Sequence, residues 1–144
     1  MAEPTGRAFF EAWLDRKLQG RRWRLVKPMR VTREWRRIYG PRGAYARVTI
    51  SAEPADVFSF SAEGAWRNDD DRQEYEPYVL DGIAHFLVAG AREPVLGLRL
   101  TLESTDVHDV DSNGNAFFEA TKEALQLILR GDEELIENIT LVHP

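Results

Sequence analysis

Residues 109–114, with the sequence D-V-D-S-N-G, place oxygen-bearing side chains at alternate positions, as the opening of a calcium-binding loop does. In such a loop a bidentate carboxylate completes the site at the twelfth position, which here is Ala120. Glu119 lies one residue too early and would point about 100° away on a helix. The sequence therefore predicts no metal site but a polar turn that caps the next helix, with weak calcium binding as the alternative.

His108 is the histidine best placed to contact a partner. It lies in a polar loop between a strong strand pattern and a strong helix pattern, where a rigid scaffold can present it. His85 falls between core positions of a predicted helix and is expected to be structural, and His143 lies in the terminal tail.

A stretch of basic and aromatic residues offers a different chemistry, the binding of RNA. From Arg21 to Arg37 the chain interleaves eight arginines and lysines with apolar residues that include Trp23 and Trp35. Arginine forks match phosphate geometry, and tryptophan rings stack on bases. The alternative is a solvated strand face, and 16 arginines against three lysines is also what coding composition can produce.

Charge is divided unevenly along the chain. Residues 1–50 hold 13 arginines and lysines against four acidic residues, a formal charge of +9, whereas residues 51–144 carry −14, for a net charge of −5. Such a division predicts either a basic face for an anionic partner or two halves that neutralise each other in the fold.

The common catalytic signatures are absent from the sequence. It has no phosphate-binding loop, no dinucleotide-binding glycine motif, no nucleophile elbow, no zinc-protease motif and no cysteine. We therefore expect neither an enzyme nor a cofactor. With 144 residues, 43% hydrophobic and 30% charged, the composition is that of one globular domain, without a bilayer-spanning apolar run or a signal-peptide core. We expect a cytoplasmic protein with no membrane role.

The hydrophobic periodicity predicts a sheet with helices on one face, an α+β fold. Helices are predicted over 5–18, over 76–89 and from 115 or 116 to 129. Strands are predicted at the end of the arginine-rich stretch and over 45–51, 57–61, 95–102 and 139–142, and an exposed loop is predicted over 68–72. One core is expected from the apolar positions Ile83, Phe86, Leu96, Leu98, Leu100, Phe117 and Ala124.

Three segments carry recognisable motifs in a fixed order. Residues 40–46 are G-P-R-G-A-Y-A, residues 74–83 are E-Y-E-P-Y-V-L-D-G-I, and residues 94–117 contain P-V, L-R-L-T-L, His108, V-D-S and A-F. They resemble domain IV of translation elongation factor G, whose motifs are G-G-R-G-Q-Y-G, E-Y-I-P-A-V-x-x-G-I, and P-V with V-K-V-T-L, H-x-V-D-S-S and A-F. The resemblance covers about residues 27–130.

The resemblance implies a fold: a ribosomal protein S5 domain 2-like sheet with two helices on one face, here preceded by an N-terminal amphipathic helix. It divides the chain into an N-terminal extension, residues 1–26, and a domain IV-like part, residues 27–144. The family's nucleotide-binding domain is not among these residues, so we expect a free-standing homologue without the whole factor's translocase activity.

In that family the glycine-rich loop and the histidine loop lie together at a tip that enters the ribosomal decoding site. The resemblance and the charge pattern together predict the RNA-binding residues Gly40, Arg42, Gly43, Tyr45, His108, Arg33, Arg36 and Arg37.

This chain departs from the family motif in both loops. Pro41 and Ala46 replace glycines, and three aspartates between residues 106 and 111 surround His108, where they oppose a phosphate backbone. We expect Arg42 to lie close enough to pair with Asp109 or Asp111, which would neutralise the charge there.

Two functions are open at the level of sequence. The first is a non-catalytic protein that binds ribosomal or other structured RNA in a translation-related role. The second is a protein-interaction or self-assembly module, a homodimer or a complex with another protein. In that case the N-terminal helix would bind through Phe10, Trp13 and Leu14.

Overall fold

The computed structural model describes residues 8–9, 11–13, 15–16, 22–39, 42–89, 94–131 and 137–142. The strands are β1 (Arg22–Leu25), β2 (Met29–Tyr39), β3 (Arg42–Pro54), β4 (Ser59–Ser61), β5 (Val95–Asp106) and β6 (Ile139–Val142). The two long helices are α1 (Asp69–Ala84), which continues as a π-helical segment (His85–Ala89), and α2 (Gly114–Arg130). None of the helices in these ranges has the length and apolar character that crossing a membrane requires.

All six strands belong to one sheet, in the order β2-β3-β5-β1-β6 with β4 beside β5. β2, β3 and β5 are antiparallel neighbours. The other edge of β5 is shared by two short parallel strands, β1 along residues 95–97 and β4 along residues 99–101. Among the described strands β2 pairs with β3 alone, so it is an edge strand of the sheet.

Helix α1 begins earlier than the sequence pattern predicts. The prediction of an exposed loop over 68–72 is therefore wrong. Asn68 is the N-cap, and its side chain accepts a 2.8 Å hydrogen bond from the backbone N–H of Asp71. The three aspartates 69–71 fill the first turn, where the helix dipole favours negative charge. Pro77 consequently lies inside the helix and not at its start.

Helix α2 confirms the predicted third helix and its capping turn. The Asn113 side chain accepts a 2.8 Å hydrogen bond from the Ala116 backbone N–H, and the helix ends at Gly131, whose φ is 77°. The D-V-D-S-N-G segment is thus a helix-capping turn. The buried side of the helix, which includes Phe117, packs on β2 and β3, and α1 packs on α2.

The core lies between the sheet and these helices. Five of the seven positions predicted to form it are buried: Ile83, Leu98, Leu100, Phe117 and Ala124. Phe86 packs against the core while partly exposed, and Leu96, the second residue of β5, is half-buried. The opposite side of β2, β3 and β5, which we name the open face, carries no helix in the described part of the chain.

The N-terminal region is described in part. Residues 8–9, 11–13 and 15–16 are helical, as predicted, and Trp13 is half-buried. Phe10 and Leu14 lie outside the described residues. β1 pairs with β5 and β6 inside the sheet, and its Leu25 is buried. The domain boundary after residue 26 stays a prediction.

Candidate nucleic-acid interface

The register of the β2–β3 hairpin decides which side chains reach the open face. Trp35 lies opposite Ala46, and both are buried in the core. Because successive side chains of a strand point to opposite faces, Arg36 and its cross-strand partner Tyr45 lie on the open face. The alternation predicted for strand 45–51 is confirmed.

Residues 107–112 return to the end of this hairpin and are fixed to it by hydrogen bonds. The Tyr45 N–H donates to the Asp111 carbonyl oxygen at 3.0 Å. The Ser112 hydroxyl accepts from the His108 N–H at 2.9 Å and donates to the Tyr45 carbonyl oxygen at 2.8 Å. We refer to this end of the sheet, formed by Ile38, residues 43–45 and residues 107–112, as the tip. The prediction that both loops lie at the same end is confirmed for the described residues.

Tyr45 is the centre of the tip. It is only 4% exposed although it lies on the open face, since the His108 ring stacks on it with centroids 3.8 Å apart and 11° between the ring planes. Its hydroxyl donates a 2.8 Å hydrogen bond to Asp106 Oδ2, and the Arg36 guanidinium lies 5.2 Å from the ring centroid. Burial and the hydrogen bond to Asp106 raise the pKa of Tyr45 to about 12. The phenol is therefore held neutral as a fixed hydrogen-bond donor.

Gly43 allows the two loops to approach each other. A Cβ at this position would lie 2.8 Å from Oδ1 of Asp111, closer than real Cβ contacts come. A side chain here would have to displace the Asp111 carboxylate, so glycine lets this carboxylate pack against β3, and this role is structural.

Arg67 fixes the tip from the helix side. Its guanidinium donates to Asp71, in the first turn of α1, at 2.8 and 3.2 Å, and to Asp109, in the tip loop, at 2.8 Å. Asp71 is buried, so its charge needs this partner. The hydrogen bonds to Asp71 and Asp109 raise the pKa of Arg67, which stays charged. One arginine thus ties the tip loop to the start of a helix.

Comparison with known protein families shows which family this chain belongs to. The family model described as elongation factor G, domain IV matches residues 23–131, more than half of the chain. The chain belongs to this family. Its α+β fold is accordingly the ribosomal protein S5 domain 2-like fold of domain IV.

A solved structure shows the same fold. The crystal structure of a protein from Thermus thermophilus matches 84% of this chain with a TM-score of 0.61, at 19% sequence identity. The chain spans only 18% of the length of that protein. The likeness therefore concerns the fold of the domain IV chain alone.

Three arginines supply positive charge at or beside the domain IV tip. Arg36 lies 3.2 Å from Glu34, and both side chains are exposed. Arg37 covers the Trp35 ring at 4.7 Å and has no carboxylate partner among the described residues. Arg47, opposite Asp106 in the sheet, is likewise exposed and makes no ion pair within the described ranges. Because an exposed ion pair contributes at most about 1 kcal/mol, Arg36 can exchange Glu34 for a phosphate.

Two of the three aspartates at or beside the tip are already engaged. Asp106 accepts the Tyr45 hydroxyl and lies 3.7 Å from Nε2 of His108, and Asp109 pairs with Arg67. Asp111 has no cationic partner in the part of the chain that the structure describes. The electrostatic obstacle that the sequence predicts for a phosphate backbone is thus concentrated on one carboxylate.

A cavity of about 210 Å³ opens at the tip. It is lined by cationic, aromatic, apolar and acidic side chains together with backbone: Arg36, Arg37, Ile38, Gly43, Ala44, Tyr45, His108 and Asp111. The chemistry is that of a mixed polar and aromatic recognition site.

The predicted RNA-binding residues divide between two surfaces. Five of them line the cavity at the tip: Gly43, Tyr45, His108, Arg36 and Arg37. Arg33 points to the helix side, where it donates a 3.1 Å hydrogen bond to Glu123 of α2. Gly40 lies outside the described residues, and of Arg42 only the backbone, paired with Tyr39, is described. The pairing of Arg42 with a tip aspartate stays a prediction.

Arg67 is the tip-positioning residue that sequence reasoning misses. It is 42 residues from Asp109 in the chain and precedes a segment predicted to be a loop. The available signal was Asn68 followed by three aspartates, which is typical of a helix start and would have placed Arg67 beside that end of the helix.

Proposed function

We propose that this domain IV chain binds structured RNA through its tip, in a translation-related role on the ribosome and without catalysing a reaction. The observation that carries the proposal is the joining of the hairpin end to the His108 loop, with His108 stacked on Tyr45. Membership of a translation-factor domain family supports it. Such a role belongs in the cytoplasm.

The chemistry of the tip suits RNA. Arg36 and Arg37 offer guanidinium groups that match phosphate oxygens, and the exposed His108 ring offers a surface on which a base stacks. The stacking ring is already held in place by Tyr45, so binding would order few additional groups.

On the part of the open face away from the tip, arginines are paired with carboxylates. An anion is therefore attracted towards the tip. Arg30 pairs with Glu103 at 2.5 Å, and Arg99 pairs with Glu53. On this face Arg47 has no carboxylate partner among the described residues, and next to the tip Arg37 has none on the helix-facing side of β2. The excess of positive charge therefore lies beside the tip.

Co-sedimentation with ribosomes at low salt tests the proposal. We expect the protein to pellet with ribosomes and the double variant Arg36→Gln, Arg37→Gln to remain in the supernatant. Arg99→Gln, which removes an arginine from the other end of the open face, is the matched control and should pellet normally. No pelleting of the unmodified protein, together with a dimeric mass lost on changing Phe10, Trp13 and Leu14 to polar residues, would favour the interaction module instead.

A further inference from the structure

We infer that the tip binds unpaired nucleobases of RNA, at a loop or a bulge, in preference to an uninterrupted duplex. The inference rests on the proposed function and names the RNA element that the tip selects. Four features of the tip support it: two projecting aliphatic side chains, a fixed loop, an exposed stacking surface and one carboxylate without a cationic partner among the described residues.

Two aliphatic side chains project from the tip into solvent. Ile38 is 82% exposed and Val110 is 92% exposed. Ile38 lies opposite Gly43, against which the Asp111 side chain packs, and Val110 is the residue before Asp111. Both therefore lie at the same end of the sheet. Apolar side chains in such positions are poor partners for a phosphate backbone, but they can pack against a base that has left the stack.

The loop that carries Val110 is held in place by hydrogen bonds. The fold therefore keeps the Val110 side chain exposed. The turn is closed by the Ser112 N–H, which donates to the His108 carbonyl oxygen at 2.9 Å. Tyr45 holds one side of the turn through the Asp111 carbonyl oxygen, and Arg67 holds the other side through Asp109. Because the backbone that carries Val110 is already positioned, little conformational entropy is lost when its side chain contacts a base.

The ring surface at the tip is open on one side. His108 has one ring face on Tyr45, and its side chain is 43% exposed. Tyr45 is anchored through its hydroxyl to Asp106, so the pair acts as one fixed aromatic surface. An unpaired base can stack on such a surface, whereas a base inside a duplex has both faces covered.

The carboxylate of Asp111 favours base edges over phosphates. It lines the cavity next to His108 and has no cationic partner among the described residues. A carboxylate repels phosphate but accepts hydrogen bonds from base amino groups. These groups are available on the Watson–Crick edge only when the base is unpaired. The acidic character of the loop, unfavourable for a duplex backbone, is thus suited to unpaired bases.

The experiment compares two labelled RNA hairpins by fluorescence anisotropy at low salt, one with a bulge of a few unpaired nucleotides and one fully paired. The unmodified protein should bind the bulged hairpin about tenfold tighter or more. In the double variant Ile38→Ser, Val110→Ser this preference should disappear, while affinity for the paired hairpin stays the same. Val57→Ser, at a 78% exposed valine away from the tip, is the matched control and should keep the preference.

The outcomes separate this inference from the proposed function. Equal binding of both hairpins by the unmodified protein overturns the inference and leaves RNA binding intact. A preference that survives the double variant also overturns it, because the projecting side chains would then play no part. Failure to bind either hairpin overturns both the inference and the proposed function.

Discussion

His108 stacks flat on Tyr45, with ring centroids 3.8 Å apart and 11° between the ring planes. The contact joins the loop after β5 to the middle strand of the β2–β3–β5 unit. Because Tyr45 is buried and hydrogen-bonded to Asp106, the position of His108 is fixed by the sheet and not by its own loop alone. The recognition chemistry proposed for the tip depends on this pair of rings.

The Tyr45 hydroxyl makes stability depend on pH in the alkaline range. Tyr45→Phe removes its hydrogen bond to Asp106 and should lower the free energy of unfolding by about 1 kcal/mol at neutral pH. In the folded protein the pKa of Tyr45 is raised from 10 to about 12, so the neutral phenol stabilises the fold fully below pH 10. This contribution should be lost as pH rises from 10 to 12.

Urea unfolding of both proteins across this range measures the effect. The advantage of the unmodified protein over Tyr45→Phe should shrink above pH 10 and be gone before pH 12. A difference that stays constant up to pH 12 would show that the hydroxyl does not contribute in this way.

Arg67 should control the order of the tip loop. In Arg67→Gln, Asp71 loses its cationic partner and Asp109 loses its tether to α1. Backbone amides of the tip loop should then exchange hydrogen faster, above all those of His108 and Ser112, and RNA affinity should fall. Hydrogen-exchange mass spectrometry measures the first effect. Arg72→Gln, which breaks the exposed pair with Glu76 on the same helix, should leave the tip unchanged, and equal effects of both variants would contradict the role of Arg67.

Leu100 should be among the most costly positions to truncate. It is fully buried in β5, so Leu100→Ala should lower the free energy of unfolding by about 2 to 5 kcal/mol. Leu80→Ala, at an exposed position of α1, should cost no more than about 0.5 kcal/mol. Denaturant unfolding compares the two, and similar losses would place the core elsewhere.

We expect the arginines of β2 to protect the sheet edge that this strand forms among the described strands. β2 pairs with β3 over eleven consecutive residues without a bulge, and Arg33 and Arg37 lie on its helix-facing side. Charged side chains at such positions oppose the addition of another strand. Arg33→Val with Arg37→Val should therefore raise the mass measured by size exclusion and light scattering. Arg47→Val, in the central strand β3, should leave the mass unchanged, and an unaltered mass in the double variant would show that the edge needs no protection.

The sequence predicts features that depend on local pattern. Alternation placed Tyr45 and Ala46 on opposite faces, and the turn before α2 was recognised as a helix cap, because these follow from backbone geometry and short-range hydrogen bonding. The aspartates after Asn68 are ambiguous in sequence, because the same residues favour loops and helix starts.

The sequence pattern does not predict pairings between residues that are far apart in the chain. The bridge from Arg67 to Asp109 and the ion pair of Arg33 with Glu123 join residues that only the tertiary fold brings together. Charge alone predicts that Arg33 binds RNA, whereas strand alternation puts it on the same side of β2 as the buried Trp35. The meeting of the two loops came from the family resemblance, which supplies tertiary information that composition lacks.

The salt dependence of RNA binding tests the central claim most directly. Binding at the tip releases counterions from the phosphates that arginines contact, so log affinity should fall with log salt by about 0.7 for each contact to a single strand. We predict that Arg36→Gln with Arg37→Gln weakens binding of a bulged hairpin and flattens this slope by about 1.4, whereas Arg99→Gln changes neither quantity. An identical slope in the double variant and the unmodified protein would contradict RNA binding at the tip.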